Sequence, residues 1–541
     1  MSILHNPSVV LTEVFFEWPD GTDVLTDLTA AFGTGRTGLI GANGTGKTTL
    51  LKLICGDLNP TSGAIDVSGR VGYLPQHLTL DSTATVAELL GIQPKLQALR
   101  AIEAGKIDEE YFATVGDDWD IEARARAVLD GIGLLDISLD RNIDTLSGGE
   151  TMLAALAGLQ LGRYDVVLLD EPTNNLDRDA RQELYNVISA WRGTLIIVSH
   201  DITLLNLMED TAELKAGVLT VFGGNYTAYQ QYLAQEQAAA QQALRTAEQK
   251  VRVEKQQRAD AQIKLARRRR YAQTDFEKKR KPKIVMNQRK TEAEVSAGKL
   301  RGMHDAKLEA AQQEVQERAD HVRRDPRIRI ELPDAHVGST RRLAEFRNSA
   351  DRGFVMYGRQ RFALTGPNGI GKTRLLETLI YPSSSTATGP YMLRHTDRIG
   401  YLPQRLHHLN DETSIFETVR EAAPGVPPGQ VRANLARLLF RGDIIQQRIG
   451  TLSGGERFRV ALARLLLAEP PHQLLVLDEP TNNLDLDSIT QLMDALNSYR
   501  GGLLVVSHDD AFLTRLNIDT WLSLDADGLR QATAPPEPKE N

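Results

Sequence analysis

Two short runs of the sequence have the residue types and the spacing needed to bind phosphate. Each reads Gly-x-x-x-x-Gly-Lys-Thr, and they occupy Gly41 to Thr48 and Gly366 to Thr373. Glycines let backbone N–H groups turn inward around phosphate oxygens, the lysine reaches the outer phosphates, and the hydroxyl that follows binds Mg²⁺. One match in a chain of 541 residues is compatible with chance. Two matches, each between a strand-like apolar run and a helix-like run, predict two phosphate-binding loops.

Two pairs of acids follow apolar runs that are typical of buried strands. Asp170 and Asp478 end these runs, and Glu171 and Glu479 come directly after them. An acid at the carboxyl end of a buried parallel strand is placed to hold Mg²⁺ directly or through water. A second carboxylate beside the metal suits a base that polarises the attacking water. The alternative is that these glutamates are structural carboxylates that cap a turn.

The other polar motifs also occur twice and in the same order. They are Tyr-Leu-Pro-Gln at 73–76 and 401–404, Leu-Ser-Gly-Gly-Glu at 146–150 and 452–456, Asp-Glu-Pro-Thr-Asn-Asn-Leu-Asp at 170–177 and 478–485, and Val-Ser-His-Asp at 198–201 and 506–509. The two copies are offset by 306 to 328 residues, which is far above the period of a solenoid repeat. The chain therefore contains a duplicated domain.

The first copy carries an insertion. Gln76 and Ser147 are 71 residues apart, whereas Gln404 and Ser453 are 49 apart, which leaves 22 extra residues in the first copy. These fall near 96–129, a stretch rich in Asp and Glu. We expect either a small protruding subdomain or a longer surface loop with a helix.

The segment between the copies, roughly 229–325, has a different character. Its apolar and small residues recur at three- and four-residue spacing, which favours helices that pack along one seam. These residues are Leu244, Ala247, Val251, Leu265, Leu308, Ala311, Val315 and Val322. Pro282 interrupts the pattern, so we predict two antiparallel helices joined by a basic tip near 273–296. A continuous helix from Tyr229 to Tyr271 would be about 65 Å long.

Charge is distributed unevenly along the chain. The whole sequence has a formal charge of -8, but Arg245 to Arg324 holds 23 Lys and Arg against 12 Asp and Glu, a local net charge of +11. Cations are densest at 267–270 and 278–283, and Tyr271 and Phe276 are near enough to stack on bases. A charge run alone is more often a solvated face. At the tip of a projecting hairpin in an acidic protein, it favours RNA as a partner.

Composition and length exclude several classes of protein. With 41% hydrophobic and 25% charged residues, the chain has the composition of an ordinary globular protein of several domains. Its longest apolar runs, such as 165–169 and 195–198, have the length of strands and are too short to cross a bilayer. Met1 to Val10 lacks the pattern of a secretion signal, and Cys55 is the single cysteine. We therefore expect a protein of the reducing cytoplasm, without membrane insertion.

Taken together, the motifs resemble those of the ATP-binding cassette superfamily, and the resemblance covers both copies. It implies an α/β fold with two ATP-binding cassette domains of the P-loop NTPase class, at 1–228 and 326–541. The α-helical hairpin linker at 229–325 would join them. ATP and Mg²⁺ are the implied substrate and cofactor.

The resemblance also implies roles for individual residues. Glu171 and Glu479 would polarise the attacking water, and His200 and His508 would be switch histidines that contact the γ-phosphate. In this superfamily the Ser-Gly-Gly loop of one domain closes over ATP held by the other. The first site would then consist of Asn43, Gly44, Gly46, Lys47, Thr48, Thr49, Gln76, Asp170, Glu171 and His200, with Ser453 and Gly455 from the second domain.

The second site is implied in the same way. It would consist of Asn368, Gly369, Gly371, Lys372, Thr373, Arg374, Gln404, Asp478, Glu479 and His508, with Ser147 and Gly149 from the first domain. The Mg²⁺ ligands would be Thr48, Gln76 and Asp170 in the first site, and Thr373, Gln404 and Asp478 in the second.

The two sites differ in the residues expected around adenine. Trp18 occupies the place where the superfamily usually has an aromatic ring that stacks on the base. In the second domain Phe346 and Phe354 are candidates, but neither is in clear register with Trp18. Arg374 also replaces the Thr49 of the first loop. We expect unequal affinities for ATP, with every catalytic position present in both sites.

Two fused cassettes, the Gly-Gly-Asn-Tyr-x-x-Tyr run at 223–229 and a basic hairpin resemble the ABC-F family. That resemblance implies a cytoplasmic monomer whose cassettes pair within the chain and whose linker binds the ribosome, at ribosomal RNA and transfer RNA. The protein would be a translation factor or an antibiotic-resistance protein, for example of the macrolide type.

Two other functions are compatible with the nucleotide motifs. The ATPase subunit of an exporter shares every nucleotide-site residue, but it has no evident use for a basic hairpin. A structural clamp with vestigial hydrolysis is disfavoured, because the glutamate after the buried aspartate is present in both copies.

Overall fold

The computed structural model of the chain describes residues 8–76, 83–174, 176–277, 283–321, 334–348, 353–381, 389–404, 409–438, 440, 442–482 and 484–533. They form two compact units, Met1–Tyr226 with Arg327–Asn541 and Thr227–Pro326. The first unit contains both copies of the duplicated domain, which we call the first and second cassettes.

The first cassette is built on a six-stranded sheet whose central strands are uninterrupted runs of Val, Leu and Ile. Its strands are β3 (Arg36–Ile40), β5 (Val71–Leu74), β6 (Val166–Asp170), β7 (Thr194–Val198), β8 (Asp210–Lys215) and β9 (Val218–Gly223). The strand order is β5-β6-β7-β3-β8-β9, and only the pair β8–β9 is antiparallel. Strands β6 and β7 are buried along their whole length, as expected for parallel strands covered on both faces.

A second, antiparallel sheet and several helices cover this central sheet. The antiparallel sheet has the order β2-β1-β4 and consists of β1 (Val9–Glu17), β2 (Asp23–Phe32) and β4 (Ser62–Val67). The helices outside the insertion are α1 (Lys47–Cys55), α2 (Val86–Leu89), α6 (Gly148–Leu161), α7 (Arg178–Ser189) and α8 (Ile202–Leu205). One apolar core lies around β1, β2 and α1, and another lies around α6, α7 and the opposite sheet face.

The insertion in the first cassette is helical. It contains α3 (Gln93–Glu103), α4 (Glu109–Val115) and α5 (Ile121–Gly131). Leu96, Val115 and Leu129 are buried in the same core as α6. The stretch that contains the extra residues therefore forms three short helices, which extend the helical layer of the first cassette.

The second cassette repeats this architecture. Its main sheet has the order β14-β15-β16-β12-β17-β18 and consists of β12 (Arg361–Thr365), β14 (Ile399–Leu402), β15 (Leu474–Asp478), β16 (Gly502–Val506), β17 (Thr520–Asp525) and β18 (Gly528–Ala532). Its antiparallel sheet has the order β11-β10-β13, from β10 (Arg342–Arg347), β11 (Gly353–Tyr357) and β13 (Tyr391–Arg394). Its helices are α11 (Lys372–Ile380), α12 (Ile415–Ala422), α13 (Pro428–Arg437), α14 (Gly454–Leu466), α15 (Leu486–Ser498) and α16 (Asp510–Arg515). The predicted duplicated α/β fold is thus confirmed.

Two long helices make up nearly all of the other unit. They are α9 (Tyr226–Glu277), with 52 residues, and α10 (Lys283–His321), with 39. Ala247, Leu308 and Ala311 of the predicted seam are buried. Lys250 pairs with Glu314 at 3.1 Å, and Arg258 pairs with Asp305 at 2.8 Å. Residue numbers therefore increase along α9 as those of their partners on α10 decrease. The helices are therefore antiparallel, as predicted, and α9 is about 78 Å long at 1.5 Å per residue.

Part of the predicted basic tip lies outside the described residues, namely Lys278, Lys279, Arg280, Lys281 and Pro282, as does Val322 of the seam. No helix within the described ranges combines the length and the apolar composition that a membrane span requires.

Candidate active site

Each phosphate loop connects a central strand to the first turn of a helix. The glycine before the lysine has a positive φ in both loops, 97° at Gly46 and 101° at Gly371, a conformation that favours glycine. A Cβ at Gly41 would lie 2.4 Å from the carbonyl oxygen of Leu214. The glycines therefore let the loop pass close to the sheet and leave N–H groups at the N-terminus of the helix, where anions bind well.

The two loop lysines are held by the carbonyls of their own loops. Lys47 Nζ donates to the carbonyls of Gly41 (2.7 Å) and Ala42 (3.0 Å), and Lys372 makes the two corresponding bonds at the same distances. Burial lowers the pKa of both lysines, and nearby acids counteract part of that effect. Each ammonium group thus lies within its loop, ready to pair with phosphate oxygens.

A cavity of about 850 Å³ opens over the first phosphate loop and includes residues of both cassettes. Its predicted lining residues from the first cassette are Trp18, Asn43, Gly44, Gly46, Lys47, Thr48, Thr49, Gln76, Asp170, Glu171 and His200. From the second cassette it takes Ser453 and Gly454. The first site is therefore composite, with a serine hydroxyl and a helix N-terminus facing the phosphate loop.

Two aspartates connect the cassettes in a reciprocal manner. Asp485 caps α15 with one carboxylate oxygen and accepts a hydrogen bond from the N–H of Asn43, in the first phosphate loop, with the other at 2.8 Å. Asp177 caps α7 and accepts from the N–H of Asn368, in the second loop, at 3.2 Å. The start of one helix in each cassette is thus tied to the phosphate loop of the other.

The glutamates that follow the buried aspartates adopt an unusual backbone conformation. Glu171 and Glu479 have φ of 49° and 48°, a region that non-glycine residues rarely occupy and that is typical of functional sites. A histidine predicted to be a switch residue faces each of them, with His200 Nε2 at 3.0 Å from Glu171 Oε1 and His508 Nε2 at 3.4 Å from Glu479 Oε1. Burial raises the pKa of Glu479 to about 7, although nearby cations act in the opposite direction.

The second switch histidine also contacts the phosphate-loop lysine. His508 Nε2 lies 2.9 Å from Lys372 Nζ. Burial, together with the charges of Lys372 and Arg181, lowers the pKa of His508 to about 3. The imidazole is therefore neutral near pH 7, and its Nε2 accepts from the lysine ammonium.

The buried aspartates have the surroundings expected of Mg²⁺ ligands. Neither carboxylate oxygen of Asp170 has a hydrogen-bond partner among the described residues, although both oxygens are buried. Asp478 accepts a hydrogen bond from Thr373 Oγ1 at 2.8 Å. Burial raises the pKa of both aspartates, so a cation beside them would stabilise their charged forms. Oxygen ligands of this kind, completed by substrate phosphates, fit Mg²⁺.

The sequence as a whole resembles characterised families over nearly its full length. The profile of the family described as ABC transporter matches residues 26–174 and 351–482, which include both phosphate loops. The chain is 32% identical over 550 residues to the tylosin resistance ATP-binding protein TlrC of Streptomyces fradiae, covering 92% of this chain and 94% of that protein. ABC transporter F family member 5 of Arabidopsis thaliana is 29% identical, covering 92% of this chain and 72% of that protein. The chain belongs to the ABC-F family. It is an ATPase that hydrolyses ATP.

The fold of this ABC-F protein is also found in solved structures. The RNase-L inhibitor matches with a TM-score of 0.57 and 17% identity, covering 96% of this chain and 89% of that chain. The archaeal ribosome recycling factor aABCE1, solved in complex with the ribosomal stalk protein aP1, matches with a TM-score of 0.54 and 18% identity, over 96% and 89% of the two chains. At these identities the likeness concerns the fold.

In the ABC-F protein, the two glycines of each Ser-Gly-Gly loop have different surroundings. Ser147 and Ser453 each cap their helix through a reciprocal bond with the glutamate three residues later. Gly455 is buried, and a Cβ there would lie 3.6 Å from a side chain of α15, whereas Gly454 is exposed and lines the first cavity. Gly149 is also buried and faces α7. The second glycine of each loop thus permits close helix packing, and in the second cassette the first glycine, Gly454, lines the first cavity.

The remaining residues predicted for the second site lie on and around its phosphate loop. Asn368, Gly369 and Gly371 belong to the loop itself, Arg374 is exposed in the first turn of α11, and Gln404 is exposed just after β14.

The aromatic residues near the two sites of the ABC-F protein are not equivalent. Trp18 is 38% exposed, contacts Phe16 edge-on at 4.9 Å and lines the first cavity. Phe346 is fully buried and stacks on Phe362 at 5.8 Å, and Phe354 packs against the same core. Phe346 is therefore unavailable to stack on a base, whereas Phe354 is partly buried.

Some residues around the first site were not predicted. Thr22, Asp23, Val24, Thr26, Asn174, Ala216 and Gly217 also line the cavity. Most belong to no repeated motif, so only the fold brings them to the site. Asp177 and Asp485 end a motif that occurs in both copies, and that repetition was the signal that could have identified them.

Proposed function

We propose that this ABC-F protein binds two ATP molecules at the interface of its cassettes and uses their binding and hydrolysis to act on the ribosome. The observation that carries the composite sites is the pair of hydrogen bonds from Asn43 and Asn368 to the aspartates of the opposite cassettes. The presence of Ser453 and Gly454 in the first cavity supports the same arrangement. In this proposal the two cassettes are residues 1–228 and 326–541, and the hairpin linker is residues 229–325.

The proposed chemistry assigns a task to each group of residues. Lys47 and Lys372, with the loop N–H groups, bind and orient the phosphates. Glu171 and Glu479 accept a hydrogen bond from the attacking water, and His200 and His508 position that water and the γ-phosphate. The threonine, glutamine and aspartate of each site would hold Mg²⁺, which would neutralise phosphate charge.

The ribosomal part of the proposal rests on the linker and on family membership. The segment from Arg245 to Arg324 has a net charge of +11 in a chain of net charge -8, which suits a polyanion such as ribosomal or transfer RNA. A related protein carries the name of a tylosin resistance protein. A cytoplasmic location, where translation occurs, and a monomer with paired cassettes belong to the same proposal.

Sedimentation of the purified protein with ribosomes tests this proposal. The Glu171→Gln/Glu479→Gln variant with ATP is expected to sediment with 70S ribosomes and not with membrane vesicles of the same host. Lys47→Ala/Lys372→Ala, which lacks both phosphate-binding lysines, is the control and is expected to stay in the supernatant. Sedimentation with the vesicles alone would contradict the proposal and favour an exporter ATPase.

Growth of a sensitive host tests whether the protein confers resistance. For a resistance protein, expression is expected to raise the inhibitory concentration of tylosin. The Glu171→Gln/Glu479→Gln variant is expected to leave that concentration unchanged. Unchanged sensitivity to tylosin and to other ribosome-directed antibiotics, together with ribosome binding, would favour a role in general translation.

A further inference from the structure

One arginine lies between the switch segments of the two ATP sites. We define these segments as 199–201 in the first cassette and 507–509 in the second, each reading Ser-His-Asp. Arg181, on α7 of the first cassette, is buried, and its Nη1 lies 3.7 Å from Asp201 Oδ2 and donates to the carbonyl of His508 at 3.5 Å. A single guanidinium therefore contacts both segments.

The two switch aspartates have different support within their own cassettes. Asp201 accepts a hydrogen bond from Tyr185 of α7 at 2.5 Å and faces Arg181 of the same helix. Arg181 and Tyr185 lie four and eight residues after the aspartate that caps α7. The residues four and eight positions after the aspartate that caps α15 are Ile489 and Met493. Both are buried and apolar, so neither balances the charge of the second switch aspartate, Asp509.

The charge of Asp509 is instead opposed from across the interface. Asp509 is partly buried and caps α16 through the N–H of Phe512 at 2.9 Å. Burial and the neighbouring charge of Asp201 raise its pKa, and Arg181 lowers it. A nearby cation stabilises the charged form of a carboxylate that is partly removed from water and lies near a second carboxylate. Arg181 of the first cassette, which donates to the carbonyl of the adjacent His508, is such a cation.

The neighbouring position on α7 shows the same asymmetry. Arg178 of the first cassette pairs with Asp510 of the second at 3.0 Å. In the opposite direction, from α15 of the second cassette to the first switch segment, the residues at these two positions are Leu486 and Ile202. Neither carries a charge. Arg178 and Arg181 of the first cassette thus contact the second cassette at Asp510 and at the carbonyl of His508.

We propose that Arg181 is a positioning residue shared by the two ATP sites, balancing both switch aspartates and holding the backbone of His508. The second site is thereby organised by the first cassette, whereas the corresponding residue of α15, Ile489, has no charge to offer the first site. Because Asp201 keeps Tyr185 when Arg181 is lost, the second switch segment depends on Arg181 more than the first does. Arg181 itself does not line the first nucleotide cavity.

Turnover measured separately at each site tests this inference. In the Glu171→Gln background, where the second site alone retains its base, Arg181→Met is expected to lower kcat for ATP at least tenfold and leave KM within twofold. In the Glu479→Gln background the same substitution is expected to change kcat less than twofold. Ile489→Met, the matched substitution in α15, is expected to leave kcat unchanged in both backgrounds. Arg181→Lys, which retains a cation, should give an intermediate kcat in the first background.

Hydrogen exchange gives an independent measurement in the protein with both glutamates intact. Arg181→Met is expected to speed exchange at 507–512 at least fivefold more than at 199–204. Equal acceleration in the two segments, or equal loss of kcat in the two backgrounds, would reduce Arg181 to a general interface residue and overturn the proposal. If Arg181→Met does not fold, Arg181→Met/Asp509→Asn removes the unbalanced carboxylate and allows the same comparison, with Asp509→Asn alone as reference.

Discussion

The glutamates after the buried aspartates, Glu171 and Glu479, combine a positive φ with a histidine within 3.4 Å. A non-glycine residue in that conformation is strained by about 1 to 3 kcal/mol, and the surrounding structure must maintain it. Here the N–H of each glutamate donates to the carbonyl at the end of the next strand, that of Val198 at 2.9 Å and that of Val506 at 2.8 Å. The strand end thus fixes the direction of each carboxylate.

Replacing both glutamates with glutamine is expected to stop turnover while leaving ATP binding almost unchanged. The amide keeps the size of the side chain but cannot accept a proton from water, and loss of a general base costs about 10² to 10⁴ in rate. Steady-state phosphate release and equilibrium ATP binding should be measured on the same preparation. Turnover within twofold of the parent protein would remove both glutamates from the proposed role.

Trp18 is expected to make the first site the tighter one for adenine nucleotides. Trp18→Ala should weaken binding at one of the two sites by about 1 to 3 kcal/mol, the range for stacking a base on an aromatic ring. Calorimetric titration with a non-hydrolysable ATP analogue would resolve the two classes of site. Trp119→Ala is the matched control, since Trp119 is 48% exposed in the same cassette and does not line the cavity. Equal affinities that are unaffected by Trp18→Ala would contradict the expectation.

At the scale of elements, one aspartate serves both as a helix cap and as a bridge. Asp485 caps α15 and accepts from Asn43 of the other cassette. Burial raises the pKa of Asp485, but the hydrogen bonds from Ser488 and Asn43 outweigh it, so its pKa lies below the ordinary value. The carboxylate of Asp485 is therefore charged near pH 7, both as the cap of α15 and as the acceptor of the hydrogen bond from Asn43.

Asp485→Ala is expected to lower both stability and ATP turnover. Loss of an N-cap costs about 0.5 to 2 kcal/mol, and loss of the bridge frees the first phosphate loop from the second cassette. The control is Ser414→Ala, which removes the cap of α12 in the same cassette without touching the other. Denaturant midpoints of the two variants should fall alike, whereas only Asp485→Ala should reduce turnover by more than fivefold. If turnover fell equally in both variants, the bridge would have no separate effect.

The sequence was sufficient to predict the elements that carry repeated motifs. The phosphate loops, the strands ending at Asp170 and Asp478, and the antiparallel helical hairpin follow from local spacing and from duplication. The cross-cassette contacts could not be predicted in this way. Arg181 donates a hydrogen bond to the carbonyl of His508, 327 residues away. Nothing in the sequence around Arg181 distinguishes it from an ordinary arginine on a helix. Similarly, which glycine of Ser-Gly-Gly faces the site depends on how two helices pack.

At the scale of the whole molecule, the most pronounced feature is the polarity of charge. The hairpin segment is strongly basic, and the rest of the chain carries a net charge of -19, the difference between -8 and +11. Repulsion from a polyanion therefore acts on most of the molecule, while attraction acts on the linker. If RNA is the partner, the linker is the part that approaches it, and salt should weaken the association steeply.

Neutralising Lys278, Lys279, Arg280, Lys281 and Lys283 with glutamine tests that consequence. Each phosphate contact contributes about 0.7 to 0.9 to the slope of log affinity against log salt, so five lost contacts should flatten the slope by roughly 3.5 to 4.5 units. Binding of ATP alone should change less than twofold, because the phosphate loops lie in the cassettes. Any stimulation of turnover by ribosomes should disappear together with ribosome binding.

The matched control for this prediction neutralises five exposed arginines of the cassettes, namely Arg163, Arg192, Arg420, Arg437 and Arg515. It changes the net charge of the chain by the same amount but leaves the hairpin intact. Ribosome affinity at four or five salt concentrations should show a flattened slope for the hairpin variant and the parent slope for the control. Since both variants change the net charge equally, a difference between them shows that the position of the cations, and not the net charge alone, determines ribosome affinity. Identical slopes for both variants and the parent would mean that the basic tip is a solvated face.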